Sequence, residues 1–310
     1  MPRILVTPRS LTTSPHPAVE RLREHGHEVV YCTPGKQPDE AELIRLVPGI
    51  VGWLAGVEPV SEAVIAAARD LRVVSRNGVG VDNLPLQALA ARGIAVRIAE
   101  GSNALGVAEL TIGLTLAALR HIPFVDAGVK AGQWPRRLGR EIRGRTFGVV
   151  GMGAVGGEVA RIAAAFGAKV LACDPVRPST GAAAAAVEWV DLATLFAESD
   201  IVSLHCPAPA DGQPLIGADE LAAFRRGAVL VNTARAALVD EAALLSALQS
   251  GRLDVYATDA FAQEPPRDLT LARHDRVIAT SHIGGHTKES VERATSAAVA
   301  NLLETLASAP

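Results

Sequence analysis

A glycine-rich string in the middle of this chain has the spacing of a loop that binds a dinucleotide. It follows an apolar segment, precedes a helical pattern and reads Gly151-Met152-Gly153-Ala154-Val155-Gly156. In that context the first glycine permits a tight turn, the second lets a pyrophosphate approach the backbone, and the third lets helix and strand pack closely. The positive end of the helix would face the phosphates. The string therefore predicts a nucleotide cofactor, and the simpler alternative is a structural glycine turn.

An acidic residue stands where the ribose of such a cofactor is expected. Asp174 follows the next predicted strand, 18 residues after the third glycine, where a carboxylate accepts hydrogen bonds from ribose hydroxyls and repels a 2′-phosphate. This favours NAD over NADP. Arg177 is the opposing signal, because a nearby arginine can bind a 2′-phosphate. The simpler alternative for Asp174 is a surface turn formed with Pro175.

Three polar residues, Arg235, Glu264 and His282, each follow an apolar segment with the pattern of a strand. Open α/β sheets bind ligands at the carboxyl ends of their strands. An arginine there can hold a carboxylate through two parallel hydrogen bonds and polarise the neighbouring carbonyl group. A carboxylate beside a histidine fixes the ring and favours its protonated form, so the histidine can donate a proton near neutral pH. Each residue alone is more simply an ordinary surface residue, but together they predict a catalytic set.

The elements that must position these residues form two alternating series of short strands and helices. Such a pattern predicts an α/β fold with doubly wound parallel sheets and right-handed crossovers. The first series has strands at 3–7, 28–31, 50–54, 71–75 and 94–97, with helices at 17–25 and 61–69. The second has strands at 146–150, 169–173, 201–205, 228–232, 255–258 and 277–279, with helices at 155–166, 192–198, 218–224 and 241–250.

Further segments complete this pattern. A long helix is predicted from 104 to about 121, closed by Pro123, and a C-terminal helix at 287–306 is expected to pack on the first series. The arginine-rich segment 130–145 is predicted as a connector, and the short alanine run 182–186 as a surface segment.

Length, composition and charge limit the possible functions. The chain has 310 residues, enough for two domains, and 49% of them are hydrophobic. The net charge of −3 favours neither nucleic acid nor an anionic membrane as a partner. Cys32, Cys173 and Cys206 share no close spacing, so neither a disulfide framework nor a metal site is expected. The N-terminus begins on a strand pattern without a signal-peptide core, which favours a cytoplasmic protein.

The motifs resemble those of the D-isomer-specific 2-hydroxyacid dehydrogenases and are most similar to those of the phosphoglycerate dehydrogenases among them. The resemblance covers nearly the whole chain. It rests on Asn77–Asn83, Asn103 with Ala108-Glu109, Gly151–Gly156, His205-Cys206-Pro207, Asn232–Asp240, Asp259–Pro265 and His282–Lys288.

The resemblance implies hydride transfer between NAD(H) and a D-2-hydroxy acid/2-oxo acid pair, with Arg235, Glu264 and His282 as catalytic residues. In the reductive direction His282 protonates the carbonyl oxygen, and in oxidation the neutral ring is the base. Implied substrate contacts are Arg76, Asn77, Val79, Gly80, Arg235 and His282. Implied cofactor contacts are Gly151, Gly153, Ala154, Val155, Gly156, Asp174, Cys206, Pro207, Thr233, Ala234, Asp259, His282 and Gly284, with Asp259 at the nicotinamide carboxamide.

The resemblance also implies two Rossmann-like domains and a homodimer that forms through the cofactor domain. A flavodoxin-like, substrate-binding domain would comprise 1–99 and 284–310, and the inserted NAD-binding domain would comprise 100–283. Arg136 and Arg137 fall where, in relatives, the partner subunit reaches towards the active site.

The sequence departs from the family pattern at three positions. Ala236 stands where glycine usually follows the arginine, Thr258 replaces a leucine, and Ser281 replaces the proline before the histidine. None of these changes removes a chemical group. Ser281 could shift the approach of the His282 loop.

Fewer residues support the prediction of the substrate than support the prediction of the reaction. Arg76, together with Arg136 and Arg137, would suit a second anionic group, which favours 3-phosphoglycerate. Phosphoglycerate dehydrogenases are expected to have a smaller residue at the position of Asn77. Asn77 therefore keeps open the alternative of a glyoxylate or hydroxypyruvate reductase. An alternative of another class is an NADH-sensing, non-catalytic protein similar to corepressors built on this fold, and the intact catalytic set argues against it.

Overall fold

The computed structural model describes residues 1–14, 16–177, 187–209 and 211–308, so the alanine run 182–186 lies outside the described residues. The chain forms two compact units. Met1–Asn103 and the C-terminal segment from Thr287 make the first unit, and Ala104–His286 makes the second. Each unit is built around its own parallel β-sheet.

The first unit has a five-stranded parallel sheet with the order β2-β1-β3-β4-β5. Its strands are β1 (Arg3–Val6), β2 (Glu28–Tyr31), β3 (Ile50–Ala55), β4 (Val73–Arg76) and β5 (Ala95–Ile98). Its helices are α1 (Arg9–Thr13), α2 (Pro17–Glu24), α3 (Glu40–Leu46), α4 (Glu62–Ala67), α5 (Leu86–Ala91) and the C-terminal α12 (Lys288–Ser308).

The two faces of this sheet are covered by different helices. Because side chains alternate along a buried strand, Leu5 and its neighbours pack on one face, whereas Ile4 and Val6 pack on the other. The C-terminal helix α12 covers the second face with Ala298, Val299 and Leu302. The hydroxyl of Ser75 on β4 donates to the Ala298 carbonyl at 2.8 Å and so ties helix and sheet together.

The second unit has a seven-stranded parallel sheet with the order β12-β11-β10-β9-β6-β7-β8. Its strands are β6 (Thr146–Val150), β7 (Lys169–Cys173), β8 (Val187–Trp189), β9 (Ile201–Leu204), β10 (Ala228–Asn232), β11 (Leu253–Thr258) and β12 (Val277–Ala279). Its helices are α6 (Ala104–Leu119), α7 (Ile122–Lys130), α8 (Ala154–Ala165), α9 (Leu192–Glu198), α10 (Ala218–Ala223) and α11 (Glu241–Gln249), with a 3-10 turn at Ala236–Leu238. The strand order reverses between β6 and β9, as in a Rossmann fold, and ligands bind at such a reversal.

The predicted α/β fold with two doubly wound parallel sheets is confirmed. Strands β6, β7, β10 and β12 have the predicted bounds, and the N-terminal helix caps Ser61 and Asp240 accept hydrogen bonds from backbone N–H groups. The short elements α1, α3, α5 and β8 were missed, because such short segments carry little periodic signal.

The prediction for the segment after α6 was wrong in one respect. Pro123 was expected to end a helix, but it stands in the first turn of α7. A proline is tolerated there because the first N–H groups of a helix have no intrahelical partner. The chain turns between the two helices at His121, whose φ is +53°.

No single helix in the described part of the chain has both the length and the hydropathy needed to cross a bilayer. The pair Ala104–Leu119 and Ile122–Lys130 meets that test only when joined across a bend of 65°.

Candidate active site

The glycine-rich loop connects β6 to α8 at the carboxyl edge of the second sheet. Gly151 has a φ of +91°, and its N–H donates to the Cys173 carbonyl at 2.9 Å. A Cβ at this position would lie 2.7–2.8 Å from backbone atoms of His205 and Cys206. Both the backbone conformation and the space therefore require glycine.

The other two glycines of the loop have different environments. A Cβ at Gly156 would overlap the Gly151 carbonyl oxygen, so this glycine lets the first turn of α8 pack against the loop. A Cβ at Gly153, the N-terminal cap of α8, would meet nothing within 4 Å. The N–H groups of Ala154 and Val155 begin the helix behind it, where no intrahelical acceptors are available. This arrangement can accept an anion at the helix N-terminus.

Asp174 follows β7 and supports the same loop. One carboxylate oxygen accepts the Met152 N–H at 2.6 Å, and the other accepts the Val176 N–H at 2.7 Å. The carboxylate is thus held beside the glycine-rich loop, where a ribose contact was predicted. The Arg177 guanidinium lies 5.5 Å from the centre of the Trp189 ring, a cation–π contact.

The loop after β9 lies against the glycine-rich loop. Burial raises the pKa of the Cys206 thiol, so this cysteine stays protonated. The neighbouring His205 contacts the Ser203 hydroxyl through Nε2 at 3.0 Å, and burial lowers the pKa of His205 to about 3. The His205 ring is therefore neutral at physiological pH. Pro207, also predicted to contact the cofactor, follows on the same loop.

The loop after β10 carries Thr233, Ala234 and Arg235. The Asn232 side chain ties this loop together: its amide donates to the Arg235 carbonyl at 2.8 Å, and its oxygen accepts the Ala234 N–H at 3.1 Å. The Thr233 hydroxyl contacts the Thr111 hydroxyl of α6 at 2.8 Å. The half-buried Arg235 donates from Nη1 to the Ala234 carbonyl at 2.9 Å. Asn232 was not among the predicted site residues, although it lies in one of the family motifs.

Glu264 and His282 are in direct contact, as their types predicted. The Nδ1 atom of His282 lies 2.8 Å and 3.0 Å from the two carboxylate oxygens of Glu264. One of these oxygens also accepts the Phe261 N–H at 3.1 Å, which fixes the carboxylate. With Nδ1 occupied by Glu264, Nε2 is the ring nitrogen that can exchange a proton with a substrate.

A buried aspartate holds the loop that carries His282. Asp259 is 2% exposed and accepts hydrogen bonds from the Thr280 hydroxyl at 2.6 Å, the Ile283 N–H at 2.8 Å and the Gly284 N–H at 2.7 Å. These donors lie on both sides of His282, whose φ is +56°. A buried carboxylate with three donors is well satisfied, so Asp259 determines the backbone position of His282. Only a cofactor contact was predicted for Asp259.

The departures from the family pattern are accommodated in this unit. The buried Thr258 hydroxyl donates to the Ala260 carbonyl at 2.9 Å and so has a hydrogen-bond partner at the end of β11. Ser281 is exposed and precedes the left-handed His282.

Four of the six predicted substrate residues lie together at the end of β4 and in the loop after it, in the first unit: Arg76, Asn77, Val79 and Gly80. Arg76 is 7% exposed and donates from Nη1 to the Asn77 carbonyl at 3.2 Å. The Asn77 N–H donates to the Ala55 carbonyl at 2.8 Å. The second unit holds Arg235, Glu264 and His282 together with all predicted cofactor residues.

Comparison with known proteins identifies the family. Residues 112–284 match the D-isomer specific 2-hydroxyacid dehydrogenase, NAD binding domain. A hydroxypyruvate reductase from Thermotoga maritima is 38% identical over 261 residues, which cover 82% of this chain and 84% of the relative. This chain belongs to the D-isomer-specific 2-hydroxyacid dehydrogenases. The crystal structure of the TT0316 protein from Thermus thermophilus superimposes on this dehydrogenase with a TM-score of 0.87 and 36% identity, covering 98% of this chain and 97% of that one.

Curated D-3-phosphoglycerate dehydrogenases are longer than this dehydrogenase. The protein from Archaeoglobus fulgidus is 40% identical over 277 residues, which cover 88% of this chain but 52% of the relative. The chain therefore spans about half the length of the phosphoglycerate dehydrogenases it matches.

The cofactor of the family fits the second unit of this dehydrogenase. The matched domain binds NAD. The open space in front of Gly153 and the N-terminus of α8 can receive a pyrophosphate, and the Asp174 carboxylate lies at the end of the adjacent strand. The chain is an NAD-dependent D-2-hydroxyacid dehydrogenase, and NAD supplies or accepts the hydride when bound.

Proposed function

We propose that this dehydrogenase reduces a short 2-oxo acid through Arg235, Glu264 and His282. The observation that carries this proposal is the contact of His282 Nδ1 with both carboxylate oxygens of Glu264, at 2.8 Å and 3.0 Å. A histidine held in this way presents one defined nitrogen to a substrate.

Each of the three residues has a separate chemical role. Arg235 holds the substrate carboxylate through its planar guanidinium and polarises the adjacent carbonyl group. The protonated His282 donates from Nε2 to the carbonyl oxygen as negative charge develops there, while its Nδ1–H donates to Glu264. In oxidation the neutral ring takes the proton from the hydroxyl group. Glu264 stabilises the imidazolium in both directions.

The remaining predicted site residues have roles in cofactor and substrate binding. The second unit is proposed as the NAD-binding domain and the first as the substrate-binding domain. The proposed cofactor contacts are Gly151, Gly153, Ala154, Val155, Gly156, Asp174, Cys206, Pro207, Thr233, Ala234, Asp259, His282 and Gly284. The backbone of Val79 and Gly80 is proposed to bind the substrate carboxylate.

Two substrate classes are supported by different observations. The relatives named D-3-phosphoglycerate dehydrogenase and the predicted role of Arg76 favour the 3-phosphoglycerate pair. The burial of Arg76 and the 84% coverage of the Thermotoga maritima hydroxypyruvate reductase favour hydroxypyruvate or glyoxylate.

A panel of 2-oxo acids tests the function. NADH oxidation is followed at constant enzyme with hydroxypyruvate, glyoxylate, pyruvate and 3-phosphohydroxypyruvate, and then with NADPH in place of NADH. We expect turnover with at least one of these acids, and a preference for NADH. NADH binding without turnover of any acid in the panel would contradict an enzyme and support the sensor alternative.

A homodimer and a cytoplasmic location are part of the proposal. The exposed apolar residues on α7 and the segment after it suit a second copy of the chain, and they are Ile122, Phe124, Val129, Trp134 and Leu138. Trp134 is 81% exposed and Leu138 is 97% exposed. Sedimentation should give twice the chain mass of 32.2 kDa, and a single-chain mass would contradict the dimer.

The proposed cytoplasmic location agrees with the three free cysteines, because a reducing compartment keeps thiols reduced.

A further inference from the structure

A tyrosine is buried in the second sheet next to the loop that carries Arg235. Tyr256 lies on β11, is 2% exposed and packs in an apolar cluster with Leu230 and Leu244. Burial raises the pKa of its phenol, so the hydroxyl stays neutral. A buried tyrosine hydroxyl usually has a hydrogen-bond partner, and the Asn232 side chain supplies one here. Tyr256 was not among the predicted site residues.

The register of β10 and β11 brings Tyr256 and Asn232 to the same face of the sheet. Leu230 pairs with Tyr256, and Asn232 pairs with Thr258. Since alternate residues of a strand lie on the same face, the two polar side chains are diagonal neighbours. The Nδ2 group of Asn232 donates to the Tyr256 hydroxyl at 3.3 Å. Two adjacent strands of a buried sheet therefore determine this contact.

The Asn232 amide joins the tyrosine to the loop after β10. Asn232 is 0% exposed. Its Nδ2 group also donates to the Arg235 carbonyl at 2.8 Å, and its Oδ1 accepts the Ala234 N–H at 3.1 Å. An amide nitrogen has two N–H bonds, and Tyr256 and Arg235 each accept one of them. The amide is thus held in the one orientation that fixes the loop.

The Arg235 carbonyl lies at the start of the 3-10 turn Ala236–Leu238 and is fixed from two directions. It accepts the Leu238 N–H at 3.2 Å from within the turn and the Asn232 amide from the sheet. The position of this carbonyl determines the peptide plane beside the Arg235 Cα, from which the guanidinium extends. Two parallel hydrogen bonds to a carboxylate require alignment, so a small backbone rotation here weakens binding.

The preceding residue of the same loop is anchored separately. The Thr111 hydroxyl of α6 donates to the Val107 carbonyl at 2.8 Å, so it accepts the Thr233 hydroxyl, which lies at 2.8 Å. Thr233, a proposed cofactor contact, is therefore held by α6, whereas Arg235 is held from β11 through Asn232. Loss of the Tyr256 hydroxyl should affect the substrate arginine and not the cofactor.

We propose that Tyr256 is a positioning residue, which aligns Arg235 with the substrate carboxylate through the Asn232 amide. The tyrosine hydroxyl accepts the second N–H of that amide, and the amide in turn holds the Arg235 carbonyl. The inference rests on the proposed function and deepens it, because it assigns the groups that align the substrate-binding guanidinium.

The test uses Tyr256→Phe, which removes the hydroxyl and keeps the ring in its apolar surroundings. Calorimetry on the enzyme saturated with NADH measures the dissociation constant of D-glycerate, a carboxylate ligand that cannot react with the reduced cofactor. We expect this constant to rise about 3- to 10-fold, because one hydrogen bond is lost and an Asn232 N–H is left buried without its acceptor. NADH affinity, measured by fluorescence titration, should be unchanged.

The chain offers a matched control, since it has two tyrosines. The Tyr31 hydroxyl on β2 also accepts a hydrogen bond, from Arg23 at 3.3 Å, but in the first unit. Tyr31→Phe removes the same group and should leave the dissociation constant of D-glycerate unchanged.

Combination with Arg235→Lys separates alignment of Arg235 from a general loosening of the site. Lysine cannot form the two parallel hydrogen bonds that depend on alignment. In the Arg235→Lys background, Tyr256→Phe should therefore have no further effect on D-glycerate binding. Equal fold losses in the two backgrounds would overturn the inference, because a purely structural role does not depend on the side chain at position 235.

Asn232→Ala removes the connecting amide and also serves if Tyr256→Phe does not fold. It should weaken D-glycerate binding at least as much as Tyr256→Phe does, and this effect too should disappear in the Arg235→Lys background. Unchanged D-glycerate binding in Asn232→Ala would overturn the inference. So would a loss of NADH affinity in Tyr256→Phe with unchanged D-glycerate binding.

The same measurements separate this inference from the proposed function. D-glycerate binding without turnover of any 2-oxo acid would contradict the proposed function alone. Turnover with independent effects of Tyr256→Phe and Arg235→Lys would contradict the role of Tyr256 alone.

Discussion

Replacement of His282 by asparagine should lower kcat for reduction of the 2-oxo acid by a factor of about 10²–10⁴, the usual contribution of a general acid. Asparagine can accept or donate a hydrogen bond but cannot deliver a proton to the developing alkoxide. The backbone of the loop is held by Asp259 through the Ile283 and Gly284 N–H groups, so the fold around residue 282 should survive. Stopped-flow NADH oxidation measures the rate, and fluorescence titration measures NADH binding.

The same loop provides a matched control. His286 is exposed and lies four residues further on, so His286→Asn removes an imidazole without touching the contact with Glu264. We expect near-normal kcat in His286→Asn. A retained rate in His282→Asn would exclude His282 as the acid.

Replacement of Arg235 by lysine should lower kcat/KM for the 2-oxo acid by about 10- to 100-fold, although the positive charge is kept. A charged hydrogen bond contributes about 1.5–3 kcal/mol, and an ammonium cannot make the two parallel bonds of a guanidinium. The Arg235 carbonyl is held by the Asn232 amide at 2.8 Å, so the side chain starts from a defined backbone position. Steady-state kinetics measure the loss.

The control for this variant is Arg267→Lys, which makes the same change at an exposed position of the second unit. Its kcat/KM should match that of the wild type. NADH affinity should be unchanged in both variants, because the guanidinium of Arg235 is assigned to the substrate. Equal kcat/KM values for Arg235→Lys and the wild type would show that only charge is needed at this position.

Much of the fold could be predicted from the sequence because both sheets are parallel and buried. Buried parallel strands read as short continuous apolar segments, so β6 and β10 were predicted with the bounds that the structure has. Short elements such as β8 and α3 were missed, because they contain too few residues to show the hydrophobic periodicity of a strand or a helix. The helix α7 was missed because Pro123 can begin a helix as well as end one.

The chemistry of the second unit could also be predicted, because it depends on residue types at strand ends. The spacing of Gly151, Gly153 and Gly156 predicts a tight turn, open space for a pyrophosphate and close packing of helix and strand. The structure has all three features. The contact between Glu264 and His282 follows from two strand ends that are adjacent in one sheet. Local spacing and residue type were sufficient for these features.

The partners of buried charges could not be predicted in the same way. Asp259 was predicted to contact the cofactor, and the structure adds that its carboxylate holds the His282 loop through three hydrogen bonds. Arg76 was predicted to contact the substrate, and the structure adds that it is 7% exposed and pairs with Ala55 in the register of β3 and β4. The sequence alone determined the family, the cofactor and the reaction, because those depend on motifs that are local in the chain. Only the tertiary structure decided which groups contact the buried charges, because that depends on strand order and register between distant segments.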